Sequence, residues 1–427
     1  MTKLYVIGAA GHVGLPFCVA AALNGYLDVV GIDLDKEKVD MINRTHKMPY
    51  MEEQGDLLGE VMGKNLLTFT SDFSMLHEAD YIVIMIGTPV DEEGNANISP
   101  LLDLTEKVLI PLINNNDKPY VIMLRSTVSP GTTETIKKLI EKETRKKESK
   151  DFYLTFCPER VAQGKGIVEA KELPQLVGGF TDDATEKAST FFAHLFGCDE
   201  VLAMSAVEAE LSKLITNMYR YVNFALANEF QIIARQYGAD ATQIIKNANY
   251  HYPRMNMPLP GPNVGGPCLY KDGKFLLENV SFTELIRASF HINEGMPDYI
   301  LGEILKKDLA PRKILILGAA FKANNEDTRN SLSFKLRKIC RKKGIAVDII
   351  DPYASGKYVH REPPDKLSHY DAVVLMTPHD VYKSWLDEHN KQLSLNTIIV
   401  DLWQHWRPKN RRYYPEIYEM AFGVYNG

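Results

Sequence analysis

At 427 residues the chain is too long for one ordinary domain and fits two or three. Its 45% hydrophobic and 24% charged residues leave ample material for soluble cores, and the net charge of −6 weighs against a general nucleic-acid binder. No run approaches the ~18 apolar residues that a membrane span requires. The five cysteines, Cys18, Cys157, Cys198, Cys268 and Cys340, are scattered, with no CxxC or Cys/His cluster. That pattern implies a reducing cytoplasm, with neither a disulfide framework nor a metal site.

The N-terminal stretch MTKLYVIGAAGHVGLP reads as a strand and a glycine turn, not as a signal peptide. Strands are expected at 3–8, 28–33, 81–86, 119–124 and 153–157, with helices at 13–24, 100–113 and 132–146. Strands alternating with helices indicate a parallel, doubly wound sheet. Residues 205–237 break the rhythm. They hold neither Gly nor Pro and end at Gly238, so they predict one helix about 50 Å long. Residues 250–268 are a Pro/Gly-rich loop, followed by helix to about 307. From Pro311 the alternation resumes through KILILGAAFK, VDIIDPY, DAVVLMTPH and TIIVDLW. The fold class is therefore α/β, with two Rossmann-like domains joined by a long helix and a helical middle. The expected boundaries are 1–203, 204–308 and 309–427.

GAAGHVG places Gly8, Gly11 and Gly14 between the first strand and first helix, with His12 and Val13 in the same loop. Glycines there let the backbone approach a pyrophosphate, which the helix N-terminus holds with its free N–H groups. The spacing is GxxGxxG, so Ala9 stands where the first glycine of GxGxxG is usual. Asp33 ends the second strand, 19 residues past Gly14. A carboxylate there accepts from a ribose and repels a 2′-phosphate, which selects NAD over NADP. The later Gly318 loop has no further glycine before its helix and reads as a packing turn.

GGPCLYKD, residues 265–272, sets Cys268 behind two glycines and a proline, ahead of Lys271 and Asp272. An accessible thiol beside positive charge is a candidate nucleophile; the alternative is a buried, inert cysteine. On the long helix, Lys213 and Asn217 are four apart and share a face. They form either a solvated stripe or a pair that stabilises an oxyanion.

Taken in order, VIGAAGHVGLP, VVGIDLDKEKVDMIN, IGTPVD, RSTVSPGTT, CPERVAQGKG, AELSKLITNMYRYVNFALANE, PGPNVGGPCLYKD, ILGAAFKANNEDTRNS, DPY and TPH resemble the UDP-glucose/GDP-mannose 6-dehydrogenase family over nearly the whole chain. The resemblance implies two hydride transfers to two NAD, taking a C6 alcohol to a carboxylate. It implies Cys268 as nucleophile, Lys213 and Asn217 as oxyanion stabilisers, and Asp272, Thr127 and Glu159 as aids to proton transfer and water placement. Beside the glycine loop, Asp33, Lys38, Thr88, Thr127, Lys271 and Arg329 would contact NAD.

PERVAQGK and YPRMNMPLPGPNVGG resemble the UDP-N-acetylhexosamine branch. On that resemblance Arg160, Val161, Lys213, Asn217, Arg220, Tyr252, Arg254, Gly265, Phe321 and Lys322 would bind the UDP-sugar. In a homodimer, Arg254 would reach the neighbouring copy. GGPC departs from the GGHC usual in that branch, and UDP-glucose is the alternative substrate. Two other classes make different demands on the sequence. A sugar-nucleotide-binding scaffold would not need Cys268, Lys213, Asn217 and Asp272 together. A short-chain dehydrogenase or epimerase would need a Tyr-x-x-x-Lys pair before residue 200, and there is none.

Overall fold

The computed structural model describes residues 2–406 apart from 92–95, 198–199, 265, 279, 309 and 365, together with the backbone of 417–418. Gly265 and Cys198 therefore lie outside the described residues. The chain divides into two compact units, residues 1–216 with 271–280, and residues 217–270 with 281–427.

The first unit is built on β1 (Thr2–Ile7), β2 (Leu27–Ile32), β3 (Leu67–Thr70), β4 (Tyr81–Ile84), β5 (Tyr120–Leu124), β6 (Phe152–Phe156), β7 (Gln175–Gly179) and β8 (Val201–Ser205). They form one sheet in the order β3-β2-β1-β4-β5-β6-β7-β8. Every pairing is parallel except β6 with β7. The apolar strands are covered on both faces, as a parallel sheet requires. In β1, Leu4 and Val6 enter one core with helix Gly14–Ala22, while Tyr5 and Ile7 enter the other. Strand order reverses between β1 and β4, and ligands of such sheets bind at the carboxyl ends beside that reversal. Gly8 follows β1, and Thr88 lies four residues past the end of β4.

The second unit repeats the plan with β9 (Lys313–Leu317), β10 (Ala346–Ile350), β11 (Val359–His360), β12 (Ala372–Leu375), β13 (Ile398–Asp401) and β14 (Ile417–Tyr418). Their order is β11-β10-β9-β12-β13-β14, parallel throughout. Gly318 has a left-handed φ of +94°, and a Cβ on it would meet Thr377 Cβ at 2.3 Å. It is a packing glycine, as its isolated position in the sequence implied.

The long helix is Ala206–Gln236. A buried amide network organises the helical part of the second unit: Asn228 donates to Asn293, Asn293 donates to the Tyr221 carbonyl, and Asn228 accepts from Gly261 N–H. The loop expected to run through residue 268 ends earlier. Helix Gly266–Leu277 begins at the second glycine of GGPC, so Cys268 stands in a first helical turn. Proline is tolerated in the first turn, where its missing N–H has no intrahelical acceptor to lose. Among the described residues, no helix is long and apolar enough to cross a membrane.

Candidate active site

The glycine loop of the first unit shows which glycines serve the protein. Gly8 has a left-handed φ of +86°, and a Cβ on it would lie 2.7 Å from the Met85 carbonyl oxygen. A Cβ on Gly14 would lie 2.2 Å from the Gly8 oxygen. Both are needed for the turn to close. Gly11 is different: its Cβ would meet only the Gly8 oxygen, at 3.4 Å. Packing alone therefore does not require a glycine at position 11. Asp33 stands at the end of β2, where Oδ2 accepts from Ala10 N–H at 2.9 Å and Oδ1 from Asp35 N–H at 3.0 Å. Lys38 pairs with Asp35 at 2.9 Å on the adjoining exposed helix. Val13 precedes that first helix, and His12 stacks on Tyr50 with ring centroids 4.2 Å apart. Tyr50 also donates its hydroxyl to the Gly11 carbonyl at 2.8 Å. Sequence reasoning missed Tyr50, which carries no local motif.

Across the strand reversal, Thr88, Thr127 and Lys271 form a chain. The Thr88 hydroxyl donates to the Thr127 carbonyl at 2.6 Å, and the Lys271 ammonium donates to the Thr88 hydroxyl at 3.3 Å. An ammonium held on a buried threonine near the ends of β4 and β5 suits the negative and polar parts of a dinucleotide. These residues fit NAD.

Glu159 lies past the end of β6 and accepts from Arg125, which follows β5, at 2.6 Å. Its other oxygen accepts from the backbone N–H groups of Arg160 and Val161 at 2.8 and 3.2 Å. Burial pushes this carboxyl up. The Arg125 charge and the three hydrogen bonds more than offset that, holding it below the usual carboxylate range. Glu159 therefore anchors the 159–161 turn as a fixed anion, and Arg160 reaches on to the Pro174 carbonyl. Arg125 is buried, with its guanidinium over the Phe17 and Phe192 rings at 5.1 and 4.9 Å. It was also missed. Its signal was available: Arg125 and Glu159 both follow apolar strands that pair side by side.

Four cysteines fall among the described residues. Cys18, Cys157 and Cys340 are buried, and Cys268 is exposed. Burial pushes the other thiols up, to about 11 for Cys157 and about 12 for Cys340, so they stay protonated and inert. Cys268 is the third residue of its helix, in the first turn. Arg329, within the same unit, interacts electrostatically with Cys268 while gripping Asp327 through two donors at 2.9 and 2.6 Å. Asp272 is four residues on from Cys268 in the same helix and is buried. Lys213 is half-buried, and Asn217, four residues along its helix, is buried.

Asn263 ties the loop before the Cys268 helix to the 320–332 segment. It accepts from Leu332 N–H at 2.8 Å and donates to the Ala320 carbonyl at 3.0 Å. Gly266 has a left-handed φ of +51°, and its Cβ would lie 2.5 Å from the Phe321 ring, so the helix start packs directly on Phe321. Lys322 follows, exposed. Behind this loop, Asp351 accepts from Ala319, Ala320, Tyr353 and Ala354 N–H groups and pairs with buried His379 at 2.9 Å. Burial pushes the Asp351 carboxyl up, but His379 and the backbone donors bring it down to about 2. DPY and TPH thus build one buried anchor for the 319–324 loop, completed by His379 Nδ1 accepting from Asn324 N–H at 2.9 Å. Arg220, Tyr252 and Arg254 are exposed, and Arg254 donates to the Tyr252 hydroxyl at 2.8 Å.

Three family models of the UDP-glucose/GDP-mannose dehydrogenases match in succession. They are the NAD binding domain at residues 2–196, the central domain at 207–295 and the UDP binding domain at 315–408. The chain belongs to this family. It is an NAD-dependent oxidoreductase of the nucleotide-sugar dehydrogenases. It is 34% identical over 415 residues to the UDP-N-acetyl-D-mannosamine dehydrogenase of Methanococcus maripaludis, covering 93% of this chain and 92% of that protein. It superposes on the solved UDP-N-acetylmannosamine dehydrogenase of Pyrococcus horikoshii with a TM-score of 0.85 at 33% identity, covering 94% and 95% of the two chains. A UDP-glucose dehydrogenase structure from Pyrobaculum islandicum, at 23% identity and a TM-score of 0.84 over 99% and 98% of the chains, shares the fold.

Proposed function

We propose that this enzyme oxidises the C6 alcohol of a UDP-N-acetylhexosamine, with UDP-N-acetylmannosamine preferred, to the uronate in two NAD-dependent steps. The observation that carries the substrate is identity of 34% over 93% of the chain to a protein named for UDP-N-acetyl-D-mannosamine. The observation that supports covalent chemistry is that Cys268, in a first helical turn, is exposed while Cys18, Cys157 and Cys340 are buried.

The Gly8–Gly14 loop and Asp33 would hold NAD, which would supply a hydride acceptor for each oxidation. In the first step the alcohol loses a hydride and a proton to give the C6 aldehyde. The Cys268 sulfur then adds to the carbonyl carbon, forming a C–S bond and an oxyanion that Lys213 and Asn217 stabilise. Loss of a second hydride from this thiohemiacetal gives a thioester. Water cleaves its C–S bond, returning the thiol and releasing the carboxylate. Asp272 and Thr127 hold the water and relay protons, while Glu159, as a fixed anion, shapes the turn that presents Arg160 and Val161. The balance is one alcohol, two NAD and one water giving one carboxylate, two NADH and three protons.

The domains serving these roles are 1–203 for NAD, 204–308 for dimerisation and 309–427 for the UDP-sugar, which Phe321 and Lys322 of the last domain and Arg220 of the middle one bind. The enzyme works as a cytoplasmic homodimer, with Arg254 reaching the second copy's site beside Tyr252, to whose hydroxyl it donates. Side-by-side kcat/KM values for UDP-N-acetylmannosamine, its gluco and galacto epimers and UDP-glucose test the substrate. A 2-acetamido pocket leaves polar groups unpaired around a 2-hydroxyl sugar, at about 1–3 kcal/mol, so UDP-glucose falls behind by at least ~10-fold. UDP-glucose as the best substrate would overturn the assignment.

A further inference from the structure

The segment from Ser126 to Thr133 is held by side chains from three elements distant in sequence. Thr88 donates to the Thr127 carbonyl, and Ser129 donates to Glu278 at 2.5 Å, just past the Cys268 helix. The third tie is Glu210 of the long helix. One of its carboxylate oxygens accepts from Gly131 N–H at 2.6 Å; the other accepts from Thr133 N–H at 2.8 Å and from the Thr133 hydroxyl at 2.5 Å. Glu210 is 1% exposed. Helix Thr132–Thr144 begins at Gly131, which has no side chain to cap it. A carboxylate 77 residues downstream does the capping instead. Residues three apart on a helix lie on neighbouring positions of one face, so Lys213 stands one turn beyond this anchor.

We propose that Glu210 is a positioning residue that fixes the Lys213 turn of the long helix to the Thr127 segment, and so sets the oxyanion-stabilising ammonium relative to the proton-relay threonine. The inference rests on the functional reading above. Three hydrogen bonds to one buried carboxylate leave the helix no freedom to slide or rotate at this point. Sliding there would move Lys213 without touching the Gly8–Gly14 loop or Asp33, which other elements carry. The expected signature is therefore a loss in kcat with the KM for NAD retained.

Glu210→Gln keeps size and removes charge, but its amide NH2 opposes one of the donors. Thr133→Val removes only the hydroxyl bond. In the intact enzyme, kcat should fall at least ~10-fold for Glu210→Gln and ~3-fold for Thr133→Val, with KM for NAD within ~2-fold of the parent. Parent-like kcat in both folded variants would overturn the proposal. So would a loss in kcat matched by an equal rise in KM for NAD and a lowered melting temperature, which marks a merely structural residue. If Glu210→Gln does not fold, Thr133→Val decides by the same criteria. A parent enzyme that turns over no UDP-sugar overturns the functional reading itself, and the inference with it.

Discussion

Replacing Gly11 and Gly14 separately by alanine distinguishes a glycine kept for a ligand from one kept for packing. A Cβ at position 14 would lie 2.2 Å from the Gly8 carbonyl oxygen and 3.0 Å from the Ala9 Cα, both backbone atoms that cannot swing away. Forcing such overlap costs about 1–3 kcal/mol. Melting should drop by about 2–4 °C for each kcal/mol in a domain of this size. A Cβ at position 11 meets one atom at 3.4 Å, and Gly11 does not occupy the left-handed region. Gly11→Ala should therefore leave stability within about 1 kcal/mol, on the stabilising side if anything, because alanine narrows the unfolded chain. The methyl instead occupies the space that the pyrophosphate needs. NAD affinity, measured by calorimetric titration, should fall at least ~10-fold, or about 1.4 kcal/mol. Gly11→Ala with unchanged NAD affinity would refute the account of this loop, as would Gly14→Ala with unchanged melting.

Cys268→Ser should keep NAD and UDP-sugar binding yet lose at least ~100-fold in turnover to uronate; near-parental uronate formation would reduce Cys268 to a structural residue. The Asp351 carboxyl is lowered to about 2 from an ordinary 3.8, so its contribution is full above pH ~4 and is lost as pH falls through ~2. That difference corresponds to about 2 kcal/mol. The stability gap between the parent and Asp351→Asn, followed by denaturant melts from pH 5 downward, should narrow as pH falls; a gap independent of pH would remove the charge from the argument.

The sequence carried the doubly wound plan because β1, β2, β4, β5, β6, β9, β10, β12 and β13 are short apolar runs bounded by turn residues. It was silent on β3, LTFT, whose burial is confined to alternate positions, and on β7, QLVGG, whose paired glycines mimic a turn. Gly178 is there because a Cβ on it would meet Ala209 at 2.6 Å, a contact across some thirty residues that no local pattern reveals. Gly266 and Pro267 likewise disguised a helix start as a loop. The glycine loop and Asp33 were legible because both are defined by their position after a strand. Arg125, Tyr50, Glu210 and the Asp351–His379 pair were not, since each acts through a partner far along the chain. The resemblance gives Glu159 a part in proton transfer and water placement, and the structure adds the donors that surround it and keep it ionised.

The central claim is that one site takes an alcohol through two oxidations with the intermediate held on Cys268. Counting NADH formed per UDP-N-acetylmannosamine consumed, with the sugar product identified by mass, tests it most directly. The account predicts two NADH and a uronate 14 Da heavier than the substrate sugar, roughly the exchange of two hydrogens for one oxygen. One NADH per sugar, with free aldehyde accumulating, would contradict it.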